Sequence, residues 1–174
     1  TLKYGDVVVT ETVTGFQRKR LKDHEMIDWT PLDMPPVEFS TRALWFEVPE
    51  EMLEGFDEET LLGALHAAEH AQIAVLPLIA MCDRWDLGGL STNHHPQTGA
   101  PTIFVHEAHP GGVGLTRQGY RDFTELVGDA HALIKGCPCK SGCPSCVQSP
   151  KCGNLNEPLS KQGAVQVLGS MLAI

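Results

Sequence analysis

Cysteine is nearly absent from the first 136 residues of this chain, where Cys82, set in an apolar stretch, is the one exception. That distribution argues against a disulfide framework, which spreads its cysteines along a short chain unable to build a core. Long apolar runs are missing as well. The longest, Ala71 to Cys82, is interrupted by Gln72 and Pro77 and is too short to span a bilayer, so no membrane association is expected. No signal-peptide pattern is present either. Positive charge is scarce: 13 Lys and Arg stand against 22 Asp and Glu, a net charge of −9. Because phosphate neutralisation supplies most non-specific affinity for nucleic acid, so acidic a piece is not expected to grip DNA by itself. Nucleotide-hydrolysis motifs are lacking too. The sequence holds no Walker A and no acidic ATPase box, so this piece is not expected to hydrolyse ATP or to be an enzyme in its own right.

What is present is 174 residues with 42% apolar content, enough for a single sizeable domain over residues 1–174. The chain opens at Thr1 directly into a strand-like Val7-Val8-Val9 run, as expected of a piece excised from a longer protein. Charge is uneven along it. Glu47 to Glu59 holds seven acidic residues and no basic one, Arg18 to Lys22 is a basic patch, and Lys135 to Lys161 carries four lysines against one Glu. The basic stretches fit either a positive edge on an acidic body or a solvated surface.

The other five cysteines fall within sixteen residues, in Cys137-Pro-Cys139-Lys-Ser-Gly-Cys143-Pro-Ser-Cys146-Val-Gln-Ser-Pro-Lys-Cys152. Tetrahedral zinc takes soft donors about 2.3 Å from the ion, and short Gly- and Pro-rich turns let successive thiolates converge without help from a helix or sheet. Cys143-Pro-Ser-Cys146 is a tight knuckle. Cys137-Pro-Cys139 can join it if the backbone turns sharply, which Gly136 and Pro138 permit. Cys137, Cys139, Cys143 and Cys146 are therefore the expected ligands of one structural zinc, with Cys152 as the substitute. A closed set of four thiolates leaves no open coordination position, so the ion is expected to stabilise the zinc loop, residues 136–154, rather than to catalyse. Dense cysteine in an otherwise cysteine-poor chain is also expected of an intracellular, cytoplasmic protein.

Alternating Val and Thr predict a strand from Tyr4 to Val13, with a turn at Gly15 and an antiparallel return over Phe16 to Lys22. A Pro-rich connector, Pro31 to Pro36, leads to a strand over Thr41 to Val48. Asp57-Glu-Glu-Thr60 places acid at the start of a long apolar helix, Glu58 to Ile79, which Pro77 should bend or end. Pro101 to His106 reads as a strand, Leu115 to Ile134 as a second long helix, and Ser160 to Ala173 as a closing helix. The fold class is α/β (α+β): a mixed sheet packed with helices, plus a Cys-rich zinc loop near the C-terminus.

Three further stretches carry possible chemistry. His66-Ala-Ala-Glu69-His70 matches the inverted zinc-peptidase pattern, in which two His at i and i+4 share a helix face and the Glu acts as general base. No third ligand is identifiable and the helix around it is strongly apolar, so a structural pair linking this helix to Asp83, Asp86 or His106 is the favoured reading. In Met81 to Leu90, Asp83, Arg84 and Asp86 are expected to form local salt bridges at a helix exit. His109-Pro-Gly-Gly-Val-Gly114 outwardly resembles a phosphate-cradling turn, but it lacks the Gly-Lys-Ser/Thr ending and the dinucleotide spacing.

Taken in order, His66-Ala-Ala-Glu-His70, Cys82-Asp-Arg-Trp-Asp-Leu-Gly-Gly89, Pro110-Gly-Gly-Val-Gly114 and Cys137-Pro-Cys-Lys-Ser-Gly-Cys-Pro-Ser-Cys146 resemble the C-terminal zinc-binding domain of mitomycin repair factor A and related superfamily II DNA helicases. The stretch Val147 to Asn154 looks closest to the SftH type. The resemblance covers roughly residues 60 to 170. It implies an accessory domain of an ATP-dependent 3′-to-5′ DNA helicase or translocase in DNA repair, bracing the motor and guiding the DNA. The motor would lie upstream of Thr1, and ATP and magnesium would belong to it alone. Its partners would be that motor and single-stranded or forked DNA. The family ligands carry over onto Cys137, Cys139, Cys143 and Cys146. Relatives tend to place an aromatic-Asp pair before the Pro-Gly-Gly turn, and this chain has His106-Glu107 instead. Arg117, Lys140 and Lys151 are the cationic candidates for DNA contact. Two other readings compete: a free-standing zinc hydrolase built on His66, Glu69 and His70, and a protein-interaction module.

Overall fold

The fold is described from a computed structural model over residues 1–173. Four strands form one sheet in the order β1-β4-β6-β5: β1 (Leu2–Glu11), β4 (Val37–Glu47), β6 (Thr102–Glu107) and β5 (Leu87–Thr92). The expected sheet packed with helices is present, but every pairing in it is antiparallel rather than mixed. β4 is the long central strand because its alternation places Leu44 and Phe46 on one face, both buried in the core, and Ala43 and Trp45 on the other.

The opening hairpin of the sequence reading is corrected. β1 pairs along its whole length with β4, and β2 (Gly15–Lys19) pairs instead with β3 (Met26–Pro31) in a separate two-stranded arm. Gly15 belongs to that arm, where the Trp29 indole covers the space a Cβ would need. The arm's side chains, among them Trp29, Met26 and Ile27, are exposed, and Arg18 and Arg20 are tied to Asp28, Asp23 and Glu25. Much of the basic patch is thus neutralised locally.

The helix α1 (Glu58–Ala80) is the hub. Asp57 caps it by accepting from the Thr60 amide at 2.8 Å, and Met81 ends it in the left-handed region. Pro77 lies inside the helix and does not end it; it sits close enough to the C-terminus for Met81 to close the helix one turn later. By length and composition α1 could cross a membrane, yet 72% of its most apolar window is buried inside this fold, as in a core helix. Its small residues set the packing distance: Gly63 and Ala64 lie directly against Ser160 and Gly163 of the closing helix α4 (Lys161–Met171). The second long helix is two, α2 (Leu115–Arg121) and α3 (Phe123–Gly136), because Asp122 leaves helical geometry between them. Helices cover one face of the sheet. The other face, lined by Val7, Val9, Trp45, Phe104 and His106, is an open hollow of about 960 Å³.

The strand β5 escaped the sequence reading because its Gly88-Gly89 pair looked like a helix exit. Close approach explains both glycines: a Cβ on Gly88 would meet the His106 ring, and one on Gly89 would overlap the Glu69 carboxylate. Gly89→Ala is expected to lower unfolding stability by about 1–3 kcal/mol through overpacking at this contact. Urea denaturation checks it, and an unchanged midpoint would show that Glu69 has room to move.

Candidate metal centre

At the end of α3, Cys137 takes up the C-cap with extended geometry, its amide still bonded to the Ile134 carbonyl. The chain then runs without regular structure to Ser160, the N-cap of α4. Four sulfurs converge inside this loop. Cys137 and Cys139 Sγ lie 3.6 Å apart, Cys137 and Cys143 3.5 Å, Cys139 and Cys146 3.5 Å, and Cys143 and Cys146 3.7 Å. A tetrahedron with four Zn–S bonds of about 2.3 Å requires sulfurs about 3.8 Å apart. A disulfide would bring a pair to about 2.05 Å, and all six cysteines are free. The residues therefore fit one tetrahedral ion.

Local backbone chemistry places each half. Gly142 has φ +118°, and the Cys143 knuckle closes with the Cys146 and Gln148 amides both bonded to the Cys143 carbonyl. The Cys143 amide in turn points at Cys146 Sγ, 3.4 Å away. Opposite them, Lys161 Nζ donates to the carbonyls of Cys137 at 2.7 Å and Cys139 at 2.5 Å. That ammonium fixes the sharp Cys-Pro-Cys turn and brings positive charge to a cluster that four thiolates would make strongly negative. The sulfurs do not share protons evenly. Against the opposing effect of burial, hydrogen bonds from Cys146, Cys137, Lys161 and Cys143 draw the Cys139 thiol down to about 6, while burial pushes Cys146 up to about 12.

Cys152 is not part of this cluster. It lies across the loop, its Sγ 3.3 Å from His66 Nε2. The expected links from the His pair to Asp83, Asp86 or His106 are not formed: His66 Nδ1 bonds the Pro158 carbonyl at 2.8 Å and His70 Nδ1 bonds the Val147 carbonyl at 2.7 Å. The peptidase arrangement is not built either. His66, Glu69 and His70 are 7, 6 and 7% exposed, whereas a metallopeptidase needs its ion and general base open to substrate. Glu69 faces Gly89 and Ser91 of β5, and burial raises its carboxyl to about 7. Burial likewise lowers His70 to about 4, which leaves that ring uncharged at neutral pH.

The glycine turn is an anion cradle filled from within. The Glu107 side chain, 0% exposed, accepts from the backbone amides of Val113, Gly114 at 3.0 Å and Thr116 at 3.1 Å, and from Thr116 Oγ1 at 2.9 Å. A carboxylate on β6 thus occupies the place a phosphate would take at the start of α2. The sequence showed the turn and the unusual His106-Glu107 pair, but not that one answers the other. Asp83 and Asp86 form a capping box on the turn before β5, and Asp86 also bonds His109 at 3.0 Å.

The cationic candidates separate. Lys151 Nζ donates to the Arg84 carbonyl at 2.8 Å and to the Leu87 carbonyl, over the Trp85 ring. Its ammonium docks the 149–156 loop onto the turn that leads into β5. Lys140 is exposed beside the cysteine cluster. Arg117 lies on α2 in a cleft of about 440 Å³ that also gathers Tyr4 from β1, Arg42 from β4, and Tyr120 and Arg121 from α2. The two tyrosine rings stand 5.7 Å apart, and Arg42 is held by Asp6 at 2.6 Å. Three separate elements build this cleft, so no local motif could reveal it.

Comparison with known proteins bears on the same residues. Residues 68–147 match the family described as the MrfA Zn-binding domain. The chain is 36% identical over 150 residues to the ATP-dependent helicase YprA of Bacillus subtilis, covering 84% of this chain and 20% of that protein. It is 33% identical over 112 residues to an uncharacterized protein of Methanocaldococcus jannaschii, covering 63% of this chain and all of that protein. Among solved structures, the helicase MrfA bound to DNA superposes with a TM-score of 0.71 at 33% identity, over 98% of this chain and 22% of that one. The chain thus spans about a fifth of the length of the helicases it matches.

The Glu107 cradle generates a test. Glu107→Ala strands three amides and a hydroxyl at a buried turn and is expected to cost about 3–5 kcal/mol of unfolding free energy, with Glu107→Gln costing less. Chemical denaturation reads this directly. A loss below about 1 kcal/mol for the alanine variant would mean that water satisfies the turn.

Proposed function

Since the chain belongs to the MrfA zinc-binding domain family, we propose that it works as the zinc-stabilised accessory domain of an ATP-dependent 3′-to-5′ DNA helicase or translocase acting in DNA repair. Cys137, Cys139, Cys143 and Cys146 hold the ion, and their 3.5–3.7 Å spacing supports that assignment. The ion closes a loop that has almost no backbone hydrogen-bond ladder of its own and so fixes α3 against α4. The domain contributes no ATP chemistry. Its partners are the motor, which supplies ATP and magnesium binding, and a single-stranded or forked DNA.

The observation that carries the DNA-guiding role is the cleft of Arg42, Arg117 and Arg121 with Tyr4 and Tyr120. Guanidinium groups pair with phosphate oxygens, and phenol rings offer stacking platforms for unpaired bases. A local cationic cleft on a chain of net charge −9 suits a strand delivered by the motor better than one captured from solution. The bracing role is supported by the sheet face that no helix among the described residues covers, with Trp45 stacked on Phe104 at 5.7 Å.

Two outcomes are expected in the full-length protein. Cys143→Ser removes one equivalent of zinc and impairs folding or strand separation, and the proposal fails if zinc content and unwinding are both unchanged. Arg117→Ala with Arg121→Ala weakens DNA binding and reduces the slope of log affinity against log salt by about 1 to 2. An unaltered slope would remove the cleft from the DNA path.

A further inference from the structure

The trio of His66, His70 and Cys152 is not used by the tetrathiolate. Its ligand-capable atoms lie within 4.8 Å of one another, and His66 and His70 pack edge to face with ring centroids 4.3 Å apart. His66 and Cys152 lie outside the stretch that matches the zinc-binding family, so that match says nothing of them. A backbone carbonyl can only accept a hydrogen bond. The bonds from His66 Nδ1 to Pro158 O and from His70 Nδ1 to Val147 O therefore place a proton on Nδ1 of both rings, which leaves Nε2 as the nitrogen of each ring that can offer a lone pair. Metal-binding histidines are prepared in this way, with the far nitrogen tethered to a carbonyl so that the near one is basic and aimed. Two buried rings tethered in the same way, one turn apart on α1, stand in one group with a half-buried thiol.

We propose that His66, His70 and Cys152 form a second metal site, taking a zinc-class, borderline-soft divalent ion through two imidazole nitrogens and one thiolate. The separation of His66 Nε2 from Cys152 Sγ, 3.3 Å, compares with the about 3.6 Å that neighbouring N and S ligands require around tetrahedral zinc. Binding displaces the thiol proton to solvent, while both Nδ1 protons remain on their carbonyls. The ion would pin the 149–158 loop onto α1, adding to the Pro158 carbonyl bond to His66; Lys151 ties the same loop to the Arg84 carbonyl instead, and Asn156 braces it internally at Ser149. A thiol-to-imidazole hydrogen bond accounts for His66 and Cys152 but gives no reason for the second tethered ring. Burial and the direction of Glu69 make this a structural site and not a hydrolytic one.

The test is metal content and cobalt spectroscopy on the purified full-length protein. Elemental analysis is expected to give two zinc ions in this domain, falling to one in Cys152→Ala, with the other lost in Cys143→Ser. In the cobalt-loaded form the thiolate-to-metal charge-transfer band reports Co–S bonds, and Cys152→Ala should lower it by about one fifth. His70→Gln should also release one ion without altering the cysteine count. One zinc in the unmodified protein, unchanged in Cys152→Ala, would overturn the proposal and reduce the trio to a hydrogen-bonded pair with a neighbouring ring. The unmodified protein's count decides the matter even if a variant fails to fold. Loss of the tetrathiolate ion alone would leave the second site standing.

Discussion

Four sulfurs held within a few tenths of an ångström of tetrahedral spacing are the constraint on which the carboxyl-terminal third depends. From Cys137 to Ser160 the backbone has neither ladder nor helix, and its turns are punctuated by Gly142 and by positive φ at Leu155 and Asn156. Such a segment gains little from periodic hydrogen bonds and cannot offset the entropy of ordering without cross-links. Convergent thiolates supply them, and the Lys161 ammonium fixes the turn from the side of α4. Once ordered, the loop places Val147 and Pro158 against α1, where their carbonyls tether His70 and His66.

The helix α1 transmits that order to the body. Its alanine- and glycine-rich face lets α4 approach closely, and its opposite side meets β5 through Glu69 and Gly89. A single buried helix thus touches the sheet, all three later helices and the loop, and its approaches to α2, α4 and β5 are spaced by glycines. Larger residues at Gly63, Gly89 or Gly163 would push apart elements that hold the site from different directions.

Several features that look like binding chemistry are answered inside the protein. The glycine turn before α2 is a cradle of amides, but Glu107 fills it. Lys151 carries a charge beside the cysteine loop, but two carbonyls take it. Their residue types and spacing are those of ligand sites, and only the identity of the partner distinguishes an internal brace from an open one. The cleft of Arg117, Arg121 and the tyrosines is the converse, a basic and aromatic surface assembled from residues that no short motif unites.

The sequence by itself determined the metal chemistry and the α+β class, because these rest on local properties. Cysteine spacing with Gly and Pro between specifies convergent thiolates without reference to the rest of the chain, and the caps and periodicities of α1, β4, β6 and α4 are read within a few residues of one another. Pairing was another matter. Alternation marks a strand but not its neighbour, so β1 was assigned to the wrong hairpin, and the Gly88-Gly89 strand was hidden because its glycines answer to His106 and Glu69, far away in sequence. Likewise, tertiary structure alone decided that Cys152 joins the histidines of α1, that Glu107 fills the glycine turn and that three arginines share one cleft. Each is a long-range contact, and a side chain's chemistry does not state which distant group it will meet.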